Sequence, residues 1–424
     1  MKPSRRRELL EFLSGFSYRV RSVPRLADLA SSASRGIGEL EEISVEDLLG
    51  RDPVLPLPGL LDACIRDKTV LVTGGGGSIG SELCRQALSL APKKLVVLDH
   101  GEYSLYAVEQ ELRAEAVRIA AKTTFEFVLG SVTDEHRVRQ LFQDHVFDTV
   151  YHAAAYKHVP IVELNPIEGF RNNALGTWSV ARAAAKASVK HFVLISTDKA
   201  VRPTNVMGAS KRVAELAIEA VARRHSGTTF AMVRFGNVLA SSGSVVPLFT
   251  KQIAAGGPVT LTHPEVTRYF MTIREAVELV IQAGAMARGC ELYVLDMGEP
   301  VRIGELAERM IRLGGRTVRD ERNPRGDIAI ETTGLRPGEK LHEELLIDGD
   351  ATGTMHPRIL QMRESAPELA SLENELGRLE ADGHDAAARE RMRILLGKWV
   401  AGYAEGRAQA ERAPLRAVPS TSRP

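Results

Sequence analysis

Cysteine is scarce. Cys64, Cys84 and Cys290 are all that 424 residues contain, far apart and without metal-ligand spacing. That excludes a disulfide framework and a thiolate metal site, and it fits a reducing compartment, the cytosol, with isolated core thiols. A charge excess of either sign is missing too. With 55 Lys and Arg against 54 Asp and Glu, the formal net charge is +1. No global field therefore draws nucleic acid or an acidic membrane, and any anion site must be local. Long apolar runs are absent, none approaching the ~18 residues that a bilayer crossing needs. The N-terminus is basic at Arg5, Arg6 and Arg7 but lacks an apolar signal core. No transmembrane segment is expected in this chain, and any attachment to the inner face of a membrane would come through partners.

What is present is organised around Thr73 to Leu83, Thr-Gly-Gly-Gly-Gly-Ser-Ile-Gly-Ser-Glu-Leu. Val70 to Val72 form a short apolar strand before it, while Leu83, Cys84, Ala87 and Leu88 fall on one helix face after it. The spacing of Gly74, Gly77 and Gly80 suits a tight turn, a close approach of pyrophosphate to backbone, and packing of helix on strand. The helix start, with Ser78 and Ile79, offers N–H groups and the positive end of a dipole to phosphates. Roughly 20 residues on, at the end of a second strand, stands Asp99, an acid that suits a free ribose hydroxyl and repels a phosphate. This points to NAD rather than NADP. A glycine-rich turn without a ligand is the competing possibility.

The hydrophobic share of 44% is ordinary for a globular protein, and the length suits one large or two ordinary domains. Residues 1–67 form a leader or linker. Leu9, Leu10 and Leu13 fit a helix face, Tyr18 to Val23 a strand and Val45 to Leu49 a short helix, before Pro53, Pro56 and Pro58 interrupt. A linker with local packing is expected, with a partner-binding arm as the alternative. From Lys68 to about Val245 strands alternate with helices, which argues for a Rossmann-like, doubly wound parallel sheet. The strands are Val70–Thr73, Leu95–Asp99, Phe125–Leu129, Thr149–Ala153, His191–Ser196 and Phe230–Phe235. Ligands of such a sheet lie beyond the carboxyl ends of the strands. Ser131 and Val132 after the third strand are placed to border an adenine. Ala153 and Ala154 after the fourth let a cofactor pass close, and Tyr156, Lys157 and His158 follow.

The fifth strand leads into Thr197-Asp198-Lys199, and the next helix carries Lys211. In a short-chain-dehydrogenase-like site, a tyrosine four residues before that lysine would serve as base for alcohol oxidation. Here Met207 occupies the position, and no tyrosine occurs between Tyr156 and Tyr269. Either catalysis is lost or another group takes the proton. A hydroxyl, an acid and an amine converging on one pocket favour the second, since they are costly to bury without use. A solvent-facing salt bridge of Asp198 with Lys199 is the bland alternative.

Several stretches together resemble one family. They are Gly74 to Gln86, Ala153 to Pro166 (Ala-Ala-Ala-Tyr-Lys-His-Val-Pro-Ile-Val-Glu-Leu-Asn-Pro), Ser196 to Lys211, Arg234 to Val238, Ser241 to Pro247, Arg268 to Met271 and Arg336 to Lys340. The chain is similar over about residues 68–365 to nucleoside-diphosphate-sugar dehydratases of the extended short-chain dehydrogenase superfamily. It most resembles the UDP-N-acetylglucosamine 4,6-dehydratase branch of the bacterial polysaccharide-biosynthesis proteins. Long members of that branch also replace the tyrosine by methionine. They carry transmembrane helices and a further domain upstream, of which residues 1–66 look like the last piece.

The resemblance implies a smaller substrate-binding subdomain, mainly from about residue 246, and a UDP-sugar substrate. The reaction would oxidise C4, remove the C5 proton, expel the C6 hydroxyl and return the hydride to C6. Thr197 would bond the C4 oxygen, Asp198 protonate the leaving hydroxyl, Lys199 take the C5 proton and Lys211 hold the nicotinamide ribose. A lysine base needs a lowered pKa, for which the charge of Lys211 or of the nicotinamide ring offers a cause. Arg336 would hold the diphosphate, with Asn237 nearby, Val238 and Ser242 in the two stretches Arg234 to Val238 and Ser241 to Pro247 that resemble nucleotide-sugar-binding sequence, and Glu339 on a sugar or ribose hydroxyl. A homo-oligomer is expected. Beyond about Ser365 the similarity fades, and residues 366–424 read as a helix through Leu372, Leu376 and Leu379 and a disordered tail, Ala413 to Pro424. A 4-epimerase, a C5-inverting dehydratase and a non-catalytic dinucleotide-binding scaffold stay open.

Overall fold

Nine strands build the main sheet: β1 Thr69–Thr73, β2 Lys94–Asp99, β3 Thr124–Leu129, β4 Thr149–His152, β5 His191–Ile195, β6 Thr229–Arg234, β7 Cys290–Leu295, β8 Ala351–Gly353 and β9 Ile359–Met362. The structure, a computed structural model, describes residues 3–13, 15, 16, 18, 20–22, 41, 42, 54–239, 241, 243–345, 351–364, 369–383 and 385–403. The strand order is β3-β2-β1-β4-β5-β6-β7-β9-β8. The first seven are parallel, and β9 and β8 close one edge antiparallel. The six strands expected from sequence are all there, within one residue at either end.

Both faces of the sheet are covered, which is why its strands read as continuous apolar runs. Along β1, Val70 and Val72 enter one core and Leu71 the other. Helix α1 (Ser78–Ser89) buries Leu83, Cys84, Ala87 and Leu88 as its spacing predicts. Helix α2 (Val206–Arg224) starts at the cap Asn205, whose side chain accepts the Gly208 N–H. The order reverses between β1 and β4, so the crevice at their carboxyl ends is where a ligand of this fold binds.

A third, separate core lies in the smaller subdomain, around Phe249, Val259, Leu261, Leu306, Ile311 and Ile328. Its three-stranded sheet runs Val259–Leu261, Ile328–Thr332, Val318–Arg319. The helix Pro3–Leu13 forms where Leu9, Leu10 and Leu13 were read as one face, and Leu10 joins this core. Among the described residues of Tyr18 to Val23, where a strand was expected, Arg21–Ser22 is strand, and Val45 to Leu49 lie outside the described residues. Residues 54–67 are tied to the sheet domain: Leu57 N–H donates to Gln282 and Thr149 Oγ1 to the Cys64 carbonyl.

One helix was expected after residue 365; there are two, Ala370–Ala381 and Ala386–Trp399. Leu372, Leu376, Met392, Leu395, Leu396 and Trp399 are buried in the core on one face of the sheet, so this segment is part of the domain. Ala413 to Pro424 lie outside the described residues. Among the described residues no helix is long and apolar enough to cross a membrane.

Candidate active site

The glycine turn after β1 has the close contacts its spacing demands. Gly74 has φ +67°, and a Cβ there would stand 2.6 Å from Ala154 Cα, because the chain leaving β4 passes directly over the turn. A Cβ on Gly80 would lie 2.0 Å from the Gly74 carbonyl oxygen, so α1 packs tightly on the strand. Gly77 is the N-cap and has no side chain to cover the first turn, which carries no acid, so the dipole end suits an anion. Asp99 is buried and braces the same turn: Oδ2 accepts the Gly76 N–H at 2.8 Å and Oδ1 the Gly101 N–H at 2.8 Å. Each oxygen keeps a second lone pair for a hydroxyl.

Around this turn, Ser131 Oγ pairs with Thr133 Oγ1 at 2.7 Å, and the Val132 side chain is in the core, which leaves only its backbone to border a ligand. Lys157 lies on an exposed stretch beyond the partly buried Ala153 and Ala154. Sequence reasoning missed Asn173, which sits in a π-helical turn, Arg171–Leu175. Its amide accepts the Tyr156 N–H and donates to the Tyr156 carbonyl and to Ser210 Oγ, fixing the loop after β4 to α2. It missed His152 too, buried between Thr73 and Thr177; burial first, and Lys211 second, push its pKa down to about 3. The ring is a neutral brace.

At the end of β5, Thr197 opens a short turn whose backbone is clamped by α2: a Cβ at Gly208 would be 2.1 Å from the Lys199 carbonyl oxygen. Asp198 is 1% exposed. Its Oδ1 accepts from Thr197 Oγ1 at 2.9 Å and from Lys199 Nζ at 3.0 Å, while Oδ2 has no hydrogen-bond partner among the described residues. Lys199 Nζ also donates to Asn237 Oδ1 at 3.1 Å and lies 3.5 Å from Glu343 Oε1. Glu343, absent from the sequence reading, is buried, and its Oε2 has no hydrogen-bond partner among the described residues. Arg268 Nε stands 3.8 Å from its Oε1. Burial pushes the Asp198 carboxyl up, with Lys199 opposing and Glu343 reinforcing.

The expectation of a depressed Lys199 is corrected here. Burial pulls its pKa down, but Asp198 and Glu343 outweigh that and raise it, so the resting ammonium is charged. Lys211 is depressed instead: burial, partly offset by Glu215, takes it to about 8, and its Nζ donates to the Ile195 carbonyl at 2.7 Å. Met207 lies one turn before Lys211 on α2, 2% exposed in the core.

On the subdomain side Glu339 is already well occupied. It accepts from Arg268 at 2.9 Å, Thr262 Oγ1 at 3.1 Å and the Arg336 backbone N–H at 3.1 Å. Arg336 is exposed. No hydrogen bond or ion pair among the described residues joins it to Asn237. Val238 pairs with Met271 in a short strand and buries its side chain, and Ser242 lies outside the described residues. The structure thus brings Thr197, Asp198, Lys199 and Asn237 together and sets Glu339 two residues away, through Arg268 and Glu343.

Arg234, read with a substrate-binding stretch, is instead fully buried behind the cluster. Its Nε and one NH group grip Glu215 at 2.8 and 2.6 Å, and it also bonds Glu364. Arg212 joins both carboxylates, and Ser196 Oγ donates to Glu215 at 2.6 Å.

A doubly wound sheet with a dinucleotide-type turn at its switch point, and an acid–amine cluster one strand away, defines the class. A family model described as "Polysaccharide biosynthesis protein" matches residues 70–364, and the chain belongs to that family. It is 51% identical over 324 residues to the capsular polysaccharide biosynthesis protein CapD of Staphylococcus aureus, covering 76% of this chain and 52% of that protein, so it spans about half that protein's length. It is 36% identical over 287 residues to a UDP-glucose 4-epimerase of Rickettsia canadensis, covering 67% of this chain and 79% of that one. Among solved structures, Pen from Bacillus thuringiensis superposes with a TM-score of 0.62 at 34% identity, covering 70% of this chain and 90% of that one.

Proposed function

We propose that this chain is an NAD-dependent nucleotide-sugar 4,6-dehydratase. It converts UDP-N-acetylglucosamine to a UDP-4-keto-6-deoxy sugar, with C5 configuration retained, for surface polysaccharide or glycan synthesis. The observation that carries this is the Thr197, Asp198, Lys199 cluster around a buried Asp198, one strand from the switch point, with a methionine where an alcohol-oxidising tyrosine would stand. We place the protein in the cytosol as a homo-oligomer.

The residues fit the dinucleotide. Gly74, Gly77, Ser78, Ile79 and Gly80 would hold the pyrophosphate, Asp99 the adenosine ribose, and Ser131 and Val132 the adenine edge. Ala153, Ala154, Lys157 and Lys211 would line the nicotinamide half. When bound, NAD supplies the acceptor and donor of hydride. Thr197 Oγ bonds the C4 oxygen and passes the C4 hydroxyl proton to Asp198, whose raised pKa suits it to take that proton and later give it to the departing C6 hydroxyl. Lys199, once it has shed its own proton, takes the C5 proton. Arg336 reaches for the diphosphate as a planar fork. Glu339 sets Arg268 and keeps one oxygen within reach of a sugar or ribose hydroxyl.

Proton NMR of UDP-N-acetylglucosamine incubated with the protein in deuterated water tests this. A C6 methyl signal and deuterium at C5 are expected. The identity to a named epimerase favours a second possibility, C4 inversion, which would yield the C4 epimer with no methyl signal and C5 unlabelled. A separate prediction concerns Asp99: denaturing the purified protein should release NAD in clear excess over NADP, because a 2′-phosphate would stand against a buried carboxylate. Mostly NADP in the supernatant would sink that assignment.

A further inference from the structure

We infer that Glu343 is the positioning residue that takes the proton Lys199 must shed before it can act at C5. This rests on the dehydratase function above and supplies a part that it lacks. Lys199 lies between two buried carboxylates, Asp198 at 3.0 Å and Glu343 at 3.5 Å, and each keeps one oxygen without a hydrogen-bond partner among the described residues. The other groups facing its ammonium are the Asn237 amide and, behind Glu343, the Arg268 guanidinium.

Proton counting gives the two carboxylates different tasks. At rest there is one ammonium and two carboxylates. Oxidation at C4 releases a hydroxyl proton, and Thr197 Oγ1, 2.9 Å from Asp198 Oδ1, delivers it there. Asp198 is then the neutral acid that the C6 hydroxyl needs and cannot also accept the proton of Lys199. Glu343 is the remaining carboxylate within reach. With the proton on Glu343, Lys199 is an amine and removes H5 as the C5–H bond breaks. Asp198 gives its proton to the C6 oxygen, the C6–O bond breaks and water leaves. When hydride returns to C6, Lys199 returns a proton to C5 and recovers one from Glu343. All charges are restored, and one water has been lost. No solvent base is needed, which suits a lysine only 18% exposed at its side chain.

Glu343→Gln keeps the volume and removes the proton acceptor; Glu343→Asp keeps the acceptor. With UDP-N-acetylglucosamine the Gln variant should retain KM within about threefold and lose kcat by about 100-fold near pH 7. Reduced-nicotinamide absorbance should build up in a single turnover, and deuterium entry at C5 should fall in parallel. Raising the pH lets solvent deprotonate Lys199, so the variant-to-parent ratio of kcat should climb by up to about tenfold per pH unit. The Asp variant should recover at least about a tenth of parent kcat. A Gln variant close to the parent, a deficit equal at every pH, or an Asp variant no better than Gln would each overturn the inference while leaving the dehydratase function in place. A parent that forms no 4-keto product overturns both.

Discussion

Lys199→Met is expected to oxidise its substrate once and stop. Methionine keeps much of the side-chain volume while removing the amine, so Asp198 retains Thr197 as donor and can still take the C4 hydroxyl proton. The C5 proton then has no acceptor. Reduced-nicotinamide absorbance should rise toward one equivalent per bound substrate. The 4-keto-6-deoxy product should fall by at least about 10³-fold, the upper range for removing one general base. Little deuterium should enter C5. Asp198→Asn divides differently: Lys199 keeps Glu343 as proton acceptor, so in whatever fraction still oxidises C4, label should enter C5 while water loss fails. If Lys199→Met turns over normally, or binds substrate without reducing its cofactor, Lys199 is not the C5 base.

The second large effect is on stability. Arg234→Met should destabilise the fold by about 3 kcal/mol, because Glu215, 0% exposed, would lose its bidentate partner and share Arg212 with Glu364. Combining it with Glu215→Leu should recover much of that loss, since an apolar pair of similar volume removes the excess buried anion and leaves Arg212 to Glu364. Denaturant unfolding at neutral pH measures both. The network also sets an acid limit. Burial raises the Glu215 pKa, but Arg234 and Arg212 outweigh it and bring the pKa down to about 2 from an ordinary 4.5. A depressed carboxyl contributes its full stability above the unfolded value and loses it as pH falls toward the folded one. Parent stability should therefore drop between about pH 4.5 and 2, and the Arg234→Met, Glu215→Leu double variant should drop less there. A double variant as unstable as the single would place the effect in packing.

Much of the sheet was legible because a doubly covered parallel strand writes itself as a short apolar run, and Val70 to Thr73 or His191 to Ile195 could be little else. The glycine turn was legible because backbone approach demands particular spacings. The parts that escaped are those made by distant segments meeting. Glu343 lies in His342-Glu343-Glu344, which reads as solvated charge, and only folding places it against Lys199. The state of that lysine was misjudged because sequence does not show that Asp198, and after it Glu343, close on its ammonium in the folded chain. Asn173 gave no periodic signal because a π-helical turn breaks the spacing on which such signals depend. Arg234 stood in a stretch resembling nucleotide-sugar-binding sequence, and nothing in one strand foretells its two carboxylate partners from other elements.

The loop from Gly334 to Leu345 holds to the rest of the molecule by several separate threads. The Gly338 carbonyl accepts from Asn205 and Thr204 at the start of α2, and Lys340 Nζ donates to the Val201 carbonyl. Glu343 reaches Lys199, and Glu339 fastens Arg268. A Cβ on Gly338 would come 2.7 Å from Asn205 Cβ. The chain is for this reason poorly modular: the segment proposed to meet the sugar nucleotide also completes the acid–amine cluster. Recombining the amino-terminal half of one relative with the carboxyl-terminal half of another would import a new substrate loop and a new neighbour for Lys199 in one stroke. Chimeras joined between β6 and the subdomain should succeed only when both parents agree at Asn205, Arg268, Gly338 and Glu343.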